Sequence, residues 1–137
     1  MNVQAVREAI ADALSTVASF VSVFATVPAR VSGLPCAVVA VNGIDYHESM
    51  TGTGGSLTRL RLDVVLLVQP MAEEWNQATL DALLSGAGSA PAALETDQSL
   101  GGTASAVVCT RALDYGSVRF ADGEYIGARL AVEVFGT

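Results

Sequence analysis

The residues best able to do chemistry gather in one glycine-rich stretch. His47, the sole histidine, stands close to Asp45 and Glu48. An imidazole beside carboxylates is the composition of a general base or of a divalent-cation site. Two carboxylates on a loop complete neither, and an ordinary solvated loop histidine fits the same description. A Ser-His-Asp triad would have to draw on His47, and no serine sits in a nucleophile-elbow motif. Glu73 and Glu74 are neighbours, so on a helix their side chains diverge; they suit a helix N-terminus electrostatically. Gly52-Thr53-Gly54-Gly55-Ser56 has the glycines of a phosphate loop. It lacks the lysine, however, and leads into a strand where a phosphate loop leads into a helix. Cys36 and Cys109 form no CxxC pair, which argues against zinc. Both lie in apolar runs, as buried free thiols do, although a disulfide stays open. No catalytic residue, cofactor site or metal ligand is assigned, and the chain is expected not to be an enzyme.

What remains are groups suited to contact. Arg59 and Arg61 stand on one face of a strand at the base of the 42–56 stretch, suited to charge pairing with a neighbouring subunit. Tyr125 and Arg129 fall on the polar face of the last strand, and both residue types are frequent at interfaces. With Asp45, His47 and Glu48 they form the candidate subunit-interface set. A solvated strand face has the same composition.

The balance of the chain narrows the partners. Fourteen acidic residues oppose seven arginines and no lysine, for a net charge of −7. An acidic surface repels phosphate, which argues against tight nucleic-acid reading. It is compatible with a lumen through which DNA slides without sticking, and equally with an ordinary acidic protein. Hydrophobic residues make up 51% and charged residues 15% of 137 residues, too apolar for disorder. Either the core is rich, or partner subunits cover part of the apolar surface. The length fits one domain, 1–137. No basic stretch precedes an apolar block, so no secretory leader is expected. No apolar run nears the ~20 residues that span a bilayer, so no membrane partner is expected either.

The elements that must position these residues follow from periodicity. Val3, Val6, Ile10, Leu14 and Val17 recur three or four apart and predict a helix over 3–19, with Asn2 as N-cap. Period two predicts a strand over 21–27, ended by Pro28. Residues 28–35 read as a loop, 36–41 as a buried strand, and 42–56, with four glycines, as a long hairpin loop. Over 58–68, Leu60, Leu62, Val64, Leu66 and Val68 point one way. Arg59, Arg61 and Asp63 point the other, on a face that turns apolar at Val65 and Leu67. Residues 72–84 read as a helix with Trp75, Thr79, Leu80, Ala82 and Leu83 inward, closed by Ser85-Gly86. Residues 91–95 read as a short helical turn and Leu100-Gly101-Gly102 as a turn. Strands over 104–113 and 124–135 are joined through 114–123. In the last strand Ile126, Ala128, Leu130, Val132 and Val134 alternate with Tyr125, Arg129 and Glu133. The expected fold is α+β, a mainly antiparallel five-stranded sheet with helices on one face.

This order resembles the small tail terminator (tail completion) proteins of siphophages, particularly those of actinobacterial phages. The likeness spans most of the chain. It runs from the N-terminal helix and the strand leading to Pro28, through Pro35-Cys36-Ala37-Val38-Val39, the Gly-rich loop and the long strand. It continues over Leu80-Asp81-Ala82-Leu83-Leu84-Ser85-Gly86, Ala92-Ala93-Leu94-Glu95 and Leu100-Gly101-Gly102, and closes on Tyr125-Ile126-Gly127-Ala128 and the apolar strand to Phe135. No single motif is specific; order and spacing carry the resemblance. It implies a homo-oligomeric ring, usually a hexamer, that caps the tail tube, stops its polymerisation and joins it to the head connector. The implied partners are further copies of the chain, the tail tube protein, the head–tail connector or neck proteins, and DNA passing through the lumen. The implied place is the head-proximal end of the tail, after assembly in the host cytoplasm. The 42–56 loop is then expected to meet another subunit or face the lumen. A head-closure or neck protein is the alternative within the same assembly; a small ligand-binding or enzymatic α+β domain is the alternative of another class.

Overall fold

A computed structural model describes residues 2–28, 33–50, 56–70, 77–97, 99–120 and 123–136, with the side chains of 47–50 and 56 excepted. Two long hairpins make the frame. β2 (Cys36–Met50) pairs antiparallel with β3 (Ser56–Pro70), and β4 (Ala106–Phe120) with β5 (Gly123–Gly136). β3 and β5 pair antiparallel at the centre. β1 (Ser22–Phe24) adds a short parallel edge beside Cys36–Val38, so the order is β1-β2-β3-β5-β4. The fold is α+β with a mostly antiparallel, mixed five-stranded sheet.

Among the described residues, three helices seal one face. α1 (Val3–Leu14) turns Val6, Ile10, Ala11 and Leu14 inward; α2 (Gln77–Leu84) contributes Leu80 and Leu83, and α3 (Ala90–Thr96) Ala90 and Leu94. These meet Leu60, Leu62, Val64 and Leu66 of β3 and Ile126, Ala128, Leu130, Val132 and Val134 of β5 in one cluster. The alternation expected along both strands holds, because successive side chains of a strand leave by opposite faces. A second cluster, Cys36, Val38, Val65, Leu67, Val118 and Tyr125, lies on the other face and includes no helix residue. The apolar turn of that face at Val65 and Leu67 is thus realised. The two cysteines are free and belong to different clusters, Cys36 to this one and Cys109 beside the helical one.

The caps explain the helix limits. Asn2 accepts a hydrogen bond from the Ala5 N–H at 3.1 Å, as an N-cap should. The helix expected over 3–19 stops at Leu14, because Ser15 and Thr16 hydroxyls donate back to the Ala11 and Ala13 carbonyls and compete with the ladder. Val17 is still buried. α3 starts on Ser89, whose side chain accepts from the Ala92 N–H, with Pro91 in the first turn. The strand expected over 21–27 shrinks to Ser22–Phe24, since Cys36–Val38 is all it pairs with.

Two expectations about loops are corrected. Asn42–Met50 is not loop but the outer half of β2, and Ser56 already belongs to β3. The stretch looks irregular in sequence because the register slips between Val41 and Gly43 and again between Asp45 and Ser49; each bulge breaks the two-residue period. Likewise 114–120 continues β4 past slips at 109/111 and 113/116, with Asp114 at φ 55° and Gly116 at φ 113°. Aspartate tolerates that left-handed turn better than most residues. Residues 51–55 with most of the phosphate-loop-like run, Glu73, Glu74 and Trp75, and 29–32 lie outside the described residues. No helix of the described residues is long and apolar enough to cross a membrane.

Candidate functional site

The helix-free face carries most of the candidate residues, and cross-strand register decides how they meet. Arg59 lies opposite Asp45 on one side and Phe135 on the other; Arg61 lies opposite Gly43 and Glu133. Arg59 donates to Asp45 Oδ2 from Nε at 3.1 Å and reaches it again from a terminal nitrogen at 3.0 Å. Its other terminal nitrogen stands 3.6 Å from Glu133. Arg61 Nε stands 3.3 Å from Asp45 Oδ2. A Cβ at Gly43 would stand 3.2 Å from a terminal nitrogen of Arg61, so the guanidinium would have to shift by a few tenths of an ångström. Asp45 therefore serves two arginines, and Arg59 ties β2 to β5 across β3.

Arg129 builds the second node. Its Nε donates to Asp114 Oδ2 at 2.7 Å, a terminal nitrogen donates to the same oxygen, and Asp63 stands 4.0 Å away. This joins β4, β5 and β3. Beside it lies a depression of about 400 Å³, lined by Asp63, Asp114, Arg129, Ser117 and Phe120 among others. The face alternates sign from strand to strand, and opposite charges on facing residues stabilise a sheet. Each pair is partly exposed, so each contributes no more than about 1 kcal/mol. Their joint effect is to fix the side chains in one pattern.

Asp45, Arg59 and Arg61 thus come together within one chain, whereas the sequence reading has the arginines pairing with a neighbouring subunit, and Arg129 shares their face. Tyr125 does not belong to an exposed polar surface: it is 8% exposed, in the apolar cluster with Val65 and Val118. The reason is position, since it pairs with Pro70 at the end of β3 where this face has turned apolar. His47 and Glu48 lie on the β2 backbone, and their side chains fall outside the described residues. The expected set lacked Asp63, Glu133 and Asp114. Strand alternation already put the first two on the right face. Asp114 gave no such signal, because a positive-φ bulge residue reads as a turn.

Three titratable groups elsewhere are perturbed by structural contacts: the Tyr115 hydroxyl is held above the usual phenol range, chiefly by donating to Asp81 of α2. Burial, and then the Glu95 charge, push the Cys109 thiol up to about 11, which leaves it protonated and unreactive near neutral pH. Asp97 is held below the usual carboxylate range by the Ser99 hydroxyl and by the Gly101 and Ser99 N–H groups, which bind the end of α3 to the Leu100–Gly102 turn. Among the described residues, no group of three or more His, Cys, Asp or Glu side chains is placed to hold a metal.

Asp45→Ala is expected to lower stability by up to about 1 kcal/mol at low salt. The loss should shrink in molar salt, as partly exposed pairs are screened. Denaturant melts at two ionic strengths check this; a loss independent of salt would mean that packing, not charge, dominates at Asp45.

No protein-family model matches the chain, and no curated protein matches it either.

Proposed function

We propose that this protein is a structural ring subunit of a long-tailed phage, the terminator that caps the tail tube, stops its growth and joins it to the head connector. The supporting observation is the two-sided sheet. One face is sealed by helices, while the other presents a fixed pattern of alternating charges drawn from four strands. Such a face suits contact by shape and charge complementarity, which governs register more than affinity. Asp45, Arg59, Arg61, Asp63, Asp114, Arg129 and Glu133 on it are tied into cross-strand pairs, and Cys109 is held as an unreactive thiol. The capping role itself rests on the resemblance in the order of sequence elements; in the structure that order is α1, β1, β2, β3, α2, α3, β4, β5, with the Gly-rich stretch up to Met50 forming strand where the resemblance has a loop.

The test is tail length. Tails assembled without this protein should be overlong tubes by electron microscopy. Normal-length tails joined to heads would overturn the proposal, and normal-length tails without heads would move the subunit to the neck.

A further inference from the structure

Asn42 is followed by Gly43, the only Asn-Gly pair in the chain; the other asparagines precede Val3 and Gln77. An asparagine modifies itself when the peptide nitrogen of the next residue reaches its side-chain amide carbon. A Cβ on that next residue hinders the approach, and glycine has none. A regular strand opposes it too, because the ladder holds the backbone extended and sends side chains away from it. Asn42 escapes both restraints. Val41 lies opposite Leu62 and Gly43 opposite Arg61, and Asn42 is the extra residue between them. A bulge leaves its extra residue unpaired and bends the strand. Asn42 is exposed, so water reaches it.

Arg61 supplies the second feature. Its guanidinium lies along Gly43: a Cβ there would stand 3.2 Å from a terminal nitrogen, 3.7 Å from Nε and 3.8 Å from Cζ. The Gly43 peptide nitrogen is two bonds from that position. A fixed cation so placed stabilises negative charge that develops on the attacking nitrogen and on the amide oxygen. Asp45, 3.3 Å from Arg61 Nε, holds the guanidinium in place and offsets part of its field.

We propose that Asn42-Gly43 is a self-modification site, at which Asn42 deamidates through a cyclic imide with Arg61 promoting the attack. The Gly43 nitrogen gives its proton to solvent and bonds to the Asn42 side-chain carbonyl carbon. The bond from that carbon to Nδ2 breaks, and Nδ2 leaves as ammonia after taking a proton from water. A water molecule then opens the imide, its hydroxyl going to one carbonyl carbon and its remaining proton to the ring nitrogen. Opening at the side-chain carbonyl gives an aspartate. Opening at the main-chain carbonyl gives a β-linked residue. The chemistry needs only water and is independent of the capping role proposed above.

Either product alters the charged face. The aspartate adds a negative charge one residue from Gly43, within the field of Arg61, while Arg59 still holds Asp45. The β-linked residue adds a carbon to the main chain just before Gly43, Ile44 and Asp45 pair with Arg61, Leu60 and Arg59. The outer half of the β2–β3 hairpin thus carries a slow, one-way change of charge and register.

The test incubates the full chain at mildly alkaline pH, folded and in urea, and follows the peptide that contains residue 42 by mass spectrometry. The folded chain should convert Asn42 from amide to carboxyl, with both products present. Asn2 should stay intact, since its side chain is engaged as the α1 cap and the branched Val3 follows it. A folded chain that keeps the Asn42 amide while the chain in urea loses it overturns the site. Arg61→Gln, checked for folding by circular dichroism, should slow conversion in the folded chain about twofold to fivefold, the size of a half-exposed charge interaction. It should leave the rate in urea unchanged. Arg61→Lys should restore most of the folded rate. Equal or faster conversion in folded Arg61→Gln, or no rescue by Arg61→Lys, overturns the part given to Arg61. Where Arg61→Gln does not fold, the comparison of folded chain with urea decides alone.

Discussion

Gly127→Ala is expected to lower stability by more than about 3 kcal/mol, the range of large core disruptions. A Cβ at this position would stand 1.9 Å from the Leu66 carbonyl oxygen and 3.0 Å from its carbon. Both atoms are backbone, so no side chain can swing aside. The cause is the slip between Leu67 and Gln69, which draws β3 under β5 just where Gly127 pairs with Leu67 and Gly116. Relief requires β3 and β5 to part, and they are the central pair of the sheet. Set against about 5–15 kcal/mol for a whole domain, the loss should lower the melting temperature by about 10 °C or more. Gly88→Ala is the control. Nothing lies within 4 Å of a Cβ there, and its φ is not in the left-handed region. That change should be neutral or stabilise by up to about 1 kcal/mol, since alanine restricts the unfolded chain. Thermal melts of both variants decide the matter. A Gly127→Ala melt within a few degrees of the parent would mean that the slip relaxes readily.

Gly127 also shows where sequence reading stops. Tyr125-Ile126-Gly127-Ala128 is visible as a motif, but the reason for its glycine is a bulge on another strand. Periodicity exposed what depends on one strand alone: the inward leucines of β3, the apolar row of β5, the buried stripe of α1 and its Asn2 cap. It failed wherever a strand slips. Asn42–Met50 has a strand's ladder but not its alternation, so its glycine and polar residues pass for a loop. The candidate site divides along the same line. That Arg59, Arg61, Asp63, Arg129 and Glu133 share a face is a property of each strand's parity. That Arg59 meets Asp45 and Arg129 meets Asp114 depends on register between strands, which bulges set and no single strand records. Tyr125 illustrates the converse. Parity placed it on the correct face, but burial depends on how far along β3 it pairs, at Pro70 and beyond the arginines.

That gradient along one face of β3 supplies the second large effect. Arg61 and Leu67 are six residues apart and leave the strand on the same side, since an even separation preserves the face. Arg61 is half-exposed beside Asp45, whereas Leu67 is fully buried opposite Cys36 and Gly127. Leu67→Ala should therefore cost about 2–5 kcal/mol, the transfer term plus a cavity that the flanking ladders keep from collapsing. Arg61→Ala should cost less than about 1 kcal/mol, because Arg59 still holds Asp45. Leu67→Asp should abolish folding, since the described residues opposite Leu67 offer a buried carboxylate no cation. Urea unfolding of the three variants separates the cases. If Leu67→Ala costs no more than Arg61→Ala, the helix-free face carries no second core. The fold would then rest on the helical side alone, and that face would be free along its whole length for a partner. If the difference holds, the apolar half of this face is a second core, a fixed base that keeps the arginines in register.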